Sequence, residues 1–176
     1  MTIEAVRKFF ETRNLDLPII ELEANTATVA LAAEAHGVEP GRIAKTLAFR
    51  LGDGRVVLVV AAGDVRVSHG KFKTVFGKGK MLNAEDVVAL TGHPVGGVCP
   101  FGLAEPLPVY LDASLKAYDV VLPAAGSVNS AKTCSVFWMR SQVSKPSARW
   151  LCLKMKLPRE WSRCKYLRCL PAPCDS

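Results

Sequence analysis

The sequence predicts an α+β fold, a mixed, barrel-like β-sheet with surrounding helices. Three observations carry this. Gly52-Asp53-Gly54 joins two apolar runs, residues 47–51 and 56–61, and a three-residue glycine-containing loop between such runs signals a hairpin, which demands antiparallel pairing. Stretches with helical spacing interrupt the strands. No strict βαβ rhythm organises the alternation, so a mixed sheet that curls towards a barrel is expected rather than a purely parallel one.

Taken in order, Ile3, Val6, Phe9 and Phe10 have the spacing of one helix face, with Thr2 as its N-cap. Residues 17–22 are short and strand-like. Residues 27–36 are alanine-rich and helical, and Gly37 suits the left-handed position just past the helix end. The hairpin strands follow, and then a short helix over residues 71–76 that stops at Gly77. Asn83 caps a helix over 84–91, with Asp86 at its third position and Gly92 closing it. Residues 107–111 and 120–122 read as further strands.

The formal charge of +7 suggests a nucleic-acid partner when taken whole. It is confined to one end. Residues 1–131 hold 13 Lys+Arg against 14 Asp+Glu, whereas residues 132–176 hold 10 against 2. The latter segment also carries all three tryptophans and five of the six cysteines, and none of the 13 glycines. Two kinds of sequence therefore meet near Ala131. The basic, Cys/Trp-rich tail has three readings. An RNA-binding extension would use Arg/Lys for phosphates and Trp for stacking. A zinc site would use Cys164, Cys169 and Cys174, but their spacing of five and the absence of tail histidines argue against it. The third reading, a shifted reading frame from about residue 132, fits the rare residues and lost periodicity best. The expected organisation is a folded domain over 1–131 and an atypical, frameshift-derived tail over 132–176, with disrupted C-terminal elements.

A domain of 131 residues buries roughly two thirds of the surface its unfolded chain exposes, enough for a core without disulfides. No apolar run approaches the ~20 residues of a membrane span, and the start has no signal-peptide apolar region. Cys99 is the one cysteine of residues 1–131, so nothing implies an oxidising compartment. A cytoplasmic protein with no membrane and no DNA partner is expected. No cofactor or metal ligand set is legible in residues 1–131.

The usual catalytic and phosphate-loop motifs are absent. Gly77-Lys78-Gly79-Lys80 is too short for a phosphate loop and reads as a basic turn. Residues 92–102, Gly-His-Pro-Val-Gly-Gly-Val-Cys-Pro-Phe-Gly, hold four glycines and two prolines. Gly96-Gly97 removes two β-carbons in a row, which lets main-chain N–H groups approach a ligand; a tight turn between two elements is the plainer reading. Cys99 and His93 invite a thiol-nucleophile reading, although six residues of Pro/Gly loop need not bring them face to face and a buried structural cysteine is the simpler alternative. Lys45, at the start of an apolar strand, is either a solvated end residue or a cation projecting into a cleft.

Four pieces fall in one order: Arg42-Ile43-Ala44-Lys45-Thr46-Leu47, the Gly96-Gly97 loop, Asp112 after Pro108-Val109-Tyr110-Leu111, and Ala125-Gly126-Ser127-Val128-Asn129-Ser130. In this the chain resembles the YbaK / prolyl-tRNA synthetase-associated editing-domain family of freestanding aminoacyl-tRNA deacylases, over about residues 1–131. The resemblance implies that family's mixed, barrel-like sheet with surrounding helices. It implies that Lys45 is the essential lysine, that Gly96 and Gly97 form the backbone-donor loop, and that Asp112, Gly126, Ser127 and Asn129 line the pocket; His93, on the reading of its own loop, is structural or substrate-lining rather than a general base. Members continue after the Asn129 region with a helix and a last strand, which the sequence from Lys132 does not match; a missing strand would expose a sheet edge.

The implied activity is trans-editing hydrolysis of mischarged aminoacyl-tRNA, above all tRNA(Pro) carrying Ala or Cys, with prolyl-tRNA synthetase as an associated partner. Such an ester is already activated, so positioning and oxyanion stabilisation suffice, and selection comes from a pocket that admits small residues. The alternatives are a non-catalytic tRNA- or RNA-binding module of the same fold and a thiol enzyme using Cys99.

Overall fold

The computed structural model describes residues 2–15, 18–136, 139 and 150–151, with the backbone alone for Thr2, Trp150 and Leu151. Its elements are helix α1 (Thr2–Glu11), strand β1 (Ile20–Glu21), helix α2 (Val29–His36), strands β2 (Ile43–Leu51) and β3 (Val56–Ala62), helix α3 (His69–Phe76), strand β4 (Gly79–Met81), helix α4 (Ala84–Thr91), and strands β5 (Val109–Asp112), β6 (Val120–Pro123), β7 (Ser130–Ala131), β8 (Cys134–Ser135) and β9 (Trp150–Leu151). Short 3-10 helices cover Pro40–Arg42 and Ala113–Ala117.

The hairpin forms as its loop requires. Leu51 N–H donates to Arg55 O at 2.8 Å, enclosing Gly52-Asp53-Gly54, and Gly54 sits at φ +85°, the left-handed residue such a loop needs. From there β2 and β3 pair antiparallel as far as Ala44 opposite Ala62. The remaining edge of β2 is shared. Its start runs parallel to β6 (Ile43 with Leu122, Ala44 with Pro123), and its end runs antiparallel to β4 (Arg50 with Lys80, Leu51 with Gly79). The main path is β8-β6-β2-β3-β5-β9, with β4 branching from β2 and a separate β1-β7 pair, so the mixed sheet curls into a half-barrel.

Alternation along β2 and β3 feeds two cores. Ala48, Leu58, Val60 and Ala62 face the main core with Val6 and Phe10 of α1, Phe101, Leu111 and Leu115. Phe49, Leu51, Val57 and Val59 face a second core closed by Phe72 of α3, whose ring centroid lies 4.6 Å from that of Phe49. Both faces of β3 are covered, which is why its sequence is a near-continuous apolar run.

The glycine stops hold for α2 and α4 and the Asn83 cap for α4, while α2 starts at Val29, two residues later than expected, because Thr28 caps it. Thr28 Oγ1 accepts from Leu31 N–H and Gly37 (φ +63°) closes α2. Asn83 Oδ1 accepts from Asp86 N–H at 2.8 Å and Gly92 (φ +75°) closes α4. Helix α1 begins at Thr2 itself, whose side chain is outside the described residues. Three further expectations need correction. The strand read at 17–22 is only Ile20–Glu21, and Leu17 is outside the described residues. Gly79-Lys80 belongs to a strand rather than a basic turn, because β2 offers it a free edge. The helix read at 71–76 starts two residues earlier, at His69.

Packing continues past Ala131. β8 pairs antiparallel with β6, β9 runs parallel to β5, and Cys134, Val136 and Met139 are buried in the main core. Cys164, Cys169, Cys174 and Trp161 lie outside the described residues. Among the described residues no helix is long and apolar enough to cross a membrane.

Candidate active site

Lys45 lies two residues inside β2, not at its start, because the strand begins at Ile43. Its neighbours Ala44 and Ala48 turn into the main core, so alternation sends Lys45 to the other face. There it lines an open groove of about 300 Å³ with Leu47, Phe49, Arg66, Phe72 and Lys80. The ammonium is half-buried. Nζ donates to Gly63 O at 2.9 Å and to Val65 O, and makes no ion pair among the described residues. Burial pulls its pKa below the ordinary lysine value, with Asp64 opposing and Arg66 adding to the effect. The lysine thus carries a charge that main-chain dipoles support, with no carboxylate at ion-pair distance among the described residues.

The carbonyls that hold Lys45 belong to a turn the sequence had not singled out. A β-carbon at Gly63 would stand 2.3 Å from Pro40 O, so only glycine lets the chain leave β3 this close to the preceding loop. An apolar run ending in Gly-Asp was the available signal.

Asp112 is level with Lys45 across the sheet. Lys45 pairs with Ala61, and Val60 pairs with Leu111 on the opposite edge of β3. Asp112 itself is wholly buried, which differs from the expected pocket-lining role. Its Oδ1 accepts from Ser114 N–H at 2.9 Å, while Ser114 Oγ accepts from Ala62 N–H at 3.2 Å. The carboxylate therefore pins the 3-10 helix after β5 to the end of β3, close to the residues that hold Lys45.

The glycine loop is a built feature. Gly97 N–H donates to Pro94 O at 2.9 Å, with Gly96 at φ +89° in the third position, a turn that calls for glycine there. A β-carbon on Gly96 would lie 2.7 Å from Ala27 Cβ, and one on Gly97 2.7 Å from the Ser127 carbonyl carbon. Gly126 N–H, from a residue at φ +91°, donates to Gly97 O at 3.2 Å. Two expected donors thus reduce to one: the Gly97 N–H closes its own turn, whereas Gly96 N–H has no acceptor among the described residues.

Residues 126–129 are held from the other side by the segment before α2. Thr26 N–H and Oγ1 both donate to Val128 O, at 2.7 and 2.9 Å, and Asn129 Nδ2 donates to Leu22 O at 2.9 Å. Ser127 Oγ lies 2.8 Å from Asn129 Oδ1 and 2.7 Å from Ser130 Oγ. This loop leaves β6 just past Pro123, the partner of Ala44, and so departs beside Lys45. The structure brings Gly96, Gly97, Gly126, Ser127 and Asn129 into one contact set, and none of them is among the residues that line the groove holding Lys45.

His93 and Cys99 do meet. Cys99 N–H donates to His93 Nδ1 at 3.4 Å, and Sγ is 3.8 Å from the same nitrogen. Burial pushes the imidazole pKa down to about 4 and the thiol up to about 12. A catalytic thiolate–imidazolium pair needs both shifts reversed, and the Cys99 thiol donates instead to Phe101 O at 3.4 Å. Both side chains are wholly buried, so His93 supports the loop from within. Among the described residues no cluster of three or more His, Cys, Asp and Glu side chains is arranged to hold a metal ion.

Comparison with known proteins gives a consistent picture. A family model described as the aminoacyl-tRNA editing domain matches residues 23–137. The uncharacterized protein YwhH of Bacillus subtilis is 48% identical over 132 residues, 74% of this chain and 84% of that protein. An Enterococcus faecalis protein provisionally named Cys-tRNA(Pro)/Cys-tRNA(Cys) deacylase EbsC is 33% identical over 96 residues, 53% of this chain and 58% of that one. A solved structure provisionally described as a trans-editing enzyme for prolyl tRNA synthetase superposes with a TM-score of 0.79 at 33% identity, covering 88% of this chain and 97% of that chain.

Proposed function

The chain belongs to the aminoacyl-tRNA editing domain family, and from that premise we propose that it is a trans-editing deacylase acting on tRNA(Pro) mischarged with alanine or cysteine. The observation that carries the reading is the state of Lys45: a half-buried ammonium, fixed by two main-chain carbonyls, lining an open groove without an ion-pair partner among the described residues. A relative provisionally named as a Cys-tRNA(Pro) deacylase supports the choice of tRNA.

The reaction asks little of the protein. Water adds to the ester carbonyl carbon, the bond from that carbon to the ribose oxygen breaks, and the ribose oxygen takes up the proton. Negative charge gathers on the carbonyl oxygen in between. Gly96 N–H is the donor for that oxygen, and one such donor is worth about 3 kcal/mol, or a hundredfold in rate. The remaining N–H of Lys45 serves the same oxygen or the phosphate of the acceptor end. Gly126, Ser127 and Asn129, locked against the glycine loop, set the wall that limits the bound amino acid to small side chains, as a second sieve must. Asp112 and His93 act as positioning residues behind the two halves. Prolyl-tRNA synthetase is the natural source of the mischarged substrate, because a pocket built for proline excludes smaller residues poorly. The reading includes no cofactor and no DNA or membrane partner.

The test is a panel of tRNA(Pro) charged with alanine, cysteine or proline, incubated with the protein and with Lys45→Ala. Release of alanine or cysteine, spared proline, and loss of release in a Lys45→Ala variant with an unchanged circular dichroism spectrum is the expected result. No hydrolysis of any member, with tRNA still bound, would make the protein a binding module instead.

A further inference from the structure

Residues 66–80 hold five Lys/Arg and no Asp/Glu, while the rest of residues 1–131 holds eight against 14. A near-neutral domain therefore conceals a sharply polarised one. The fold gathers this segment instead of dispersing it. Phe72 packs on Phe49 from one side, and β4 pairs with the end of β2 on the other, Lys80 opposite Arg50. Both ends of the segment, Arg66 and Lys80, thus line the groove that holds Lys45. A second hollow, lined by Arg50, Lys78 and Lys80, continues from the first through Gly79 and Lys80.

Arg66, Lys73, Lys78 and Lys80 are exposed, and none makes a salt bridge among the described residues. Arg50 in contrast is paired with Asp86 at 3.0 Å. The floor beside the cations is apolar, with Leu47, Phe49 and Phe72 beneath and Met81 58% exposed at the rim. Unpaired cations at Arg66, Lys78 and Lys80 along an apolar trough, with exposed Lys73 on the adjoining helix, suit a polyanion with flat, stackable groups, the combination that single-stranded RNA presents.

We propose that the α3–β4 face is the track for the sugar–phosphate backbone of the tRNA acceptor strand, with Lys78, Lys80 and Arg66 leading its 3′ end to Lys45. This rests on the deacylase reading for its choice of RNA and sets the polarity of binding: the strand enters past Lys78 and ends at Lys45.

The test measures binding of uncharged tRNA(Pro) by fluorescence anisotropy across a salt series, with the full chain, a Lys73→Ala/Lys78→Ala/Lys80→Ala variant and a control Lys8→Ala/Arg55→Ala variant. The triple variant is expected to bind about tenfold or more weaker at low salt and to lose about two from the slope of log affinity against log salt, since each phosphate contact contributes roughly 0.7–0.9. The control is expected to retain the wild-type slope. With charged tRNA, the triple variant raises KM more than it lowers kcat. Wild-type affinity and slope in the triple variant would overturn the proposal, as would binding to phosphatidylserine vesicles in place of tRNA. Should the triple variant melt early, Lys78→Ala alone must still lower the slope. Loss of tRNA binding in a protein that hydrolyses no member of the charged panel would sink the deacylase reading and leave the track standing.

Discussion

Gly97 and Ser127 meet backbone to backbone: a β-carbon on Gly97 would stand 2.7 Å from the Ser127 carbonyl carbon and 2.9 Å from its α-carbon and oxygen. Main-chain atoms cannot rotate away as a side chain would. Gly97→Ala must therefore separate the two loops, at about 1–3 kcal/mol in stability. Deacylation is expected to fall at least tenfold, measured with alanyl-tRNA(Pro) beside a denaturant titration. Wild-type turnover in a folded Gly97→Ala protein would remove this contact from the site.

His93 makes stability depend on pH. In the fold its imidazole stays neutral down to about pH 4, whereas the unfolded chain takes up a proton below about 6.5. Across that window the unfolded state holds more protons, so this contribution is complete above pH 6.5 and is lost as the pH falls towards 4, by about 3 kcal/mol. Urea titrations at pH 7 and pH 4.5 read it. His93→Gln is expected to flatten that part of the profile, and an unchanged slope would assign the loss to other groups.

Cys99→Ala is expected to keep deacylation within about twofold, at a stability cost of about 1 kcal/mol. The wild-type thiol, wholly buried and held at a pKa of about 12, should resist iodoacetamide in the native state. Loss of activity in the folded variant would revive a thiol mechanism.

Met139 lies beyond the composition break at Ala131 and yet is fully buried in the main core. Met139→Ala is expected to cost about 2–5 kcal/mol, read as a shift in the urea midpoint. A surface-like effect below 0.5 kcal/mol would mean that the fold ends earlier. We also propose that the sequence from about residue 132 comes from a shifted reading frame; translating the gene in its other frames past codon 131 should then give an amphipathic ending.

What was legible in the sequence was local. The Gly52-Asp53-Gly54 loop, the Asn83 cap and the Gly37 and Gly92 stops each depend on residues within one turn, and all stand in the structure. β4, β7 and β8 were missed because two or three residues have no period, and partners some 30 residues or more distant in one case make Gly79-Lys80 a strand. The same limit applied to the site. That His93 and Cys99 face each other, or that the Gly97 N–H is spent on Pro94, follows from how the loop closes and not from its composition. Lys45 could be singled out by its place before an apolar strand, but the carbonyls that hold it come from the turn just past the far end of the next strand.

Those carbonyls, of Gly63 and Val65, restrain a side chain that in solution samples many rotamers. Freezing a free lysine costs up to about 2 kcal/mol of conformational entropy, and here folding has already met that cost before any ester arrives. The cation waits in one orientation with a single N–H direction left to offer. An arginine would bring equal charge with a different, planar set of donors, so charge alone cannot replace what the tether provides: the lysine is aimed as well as charged.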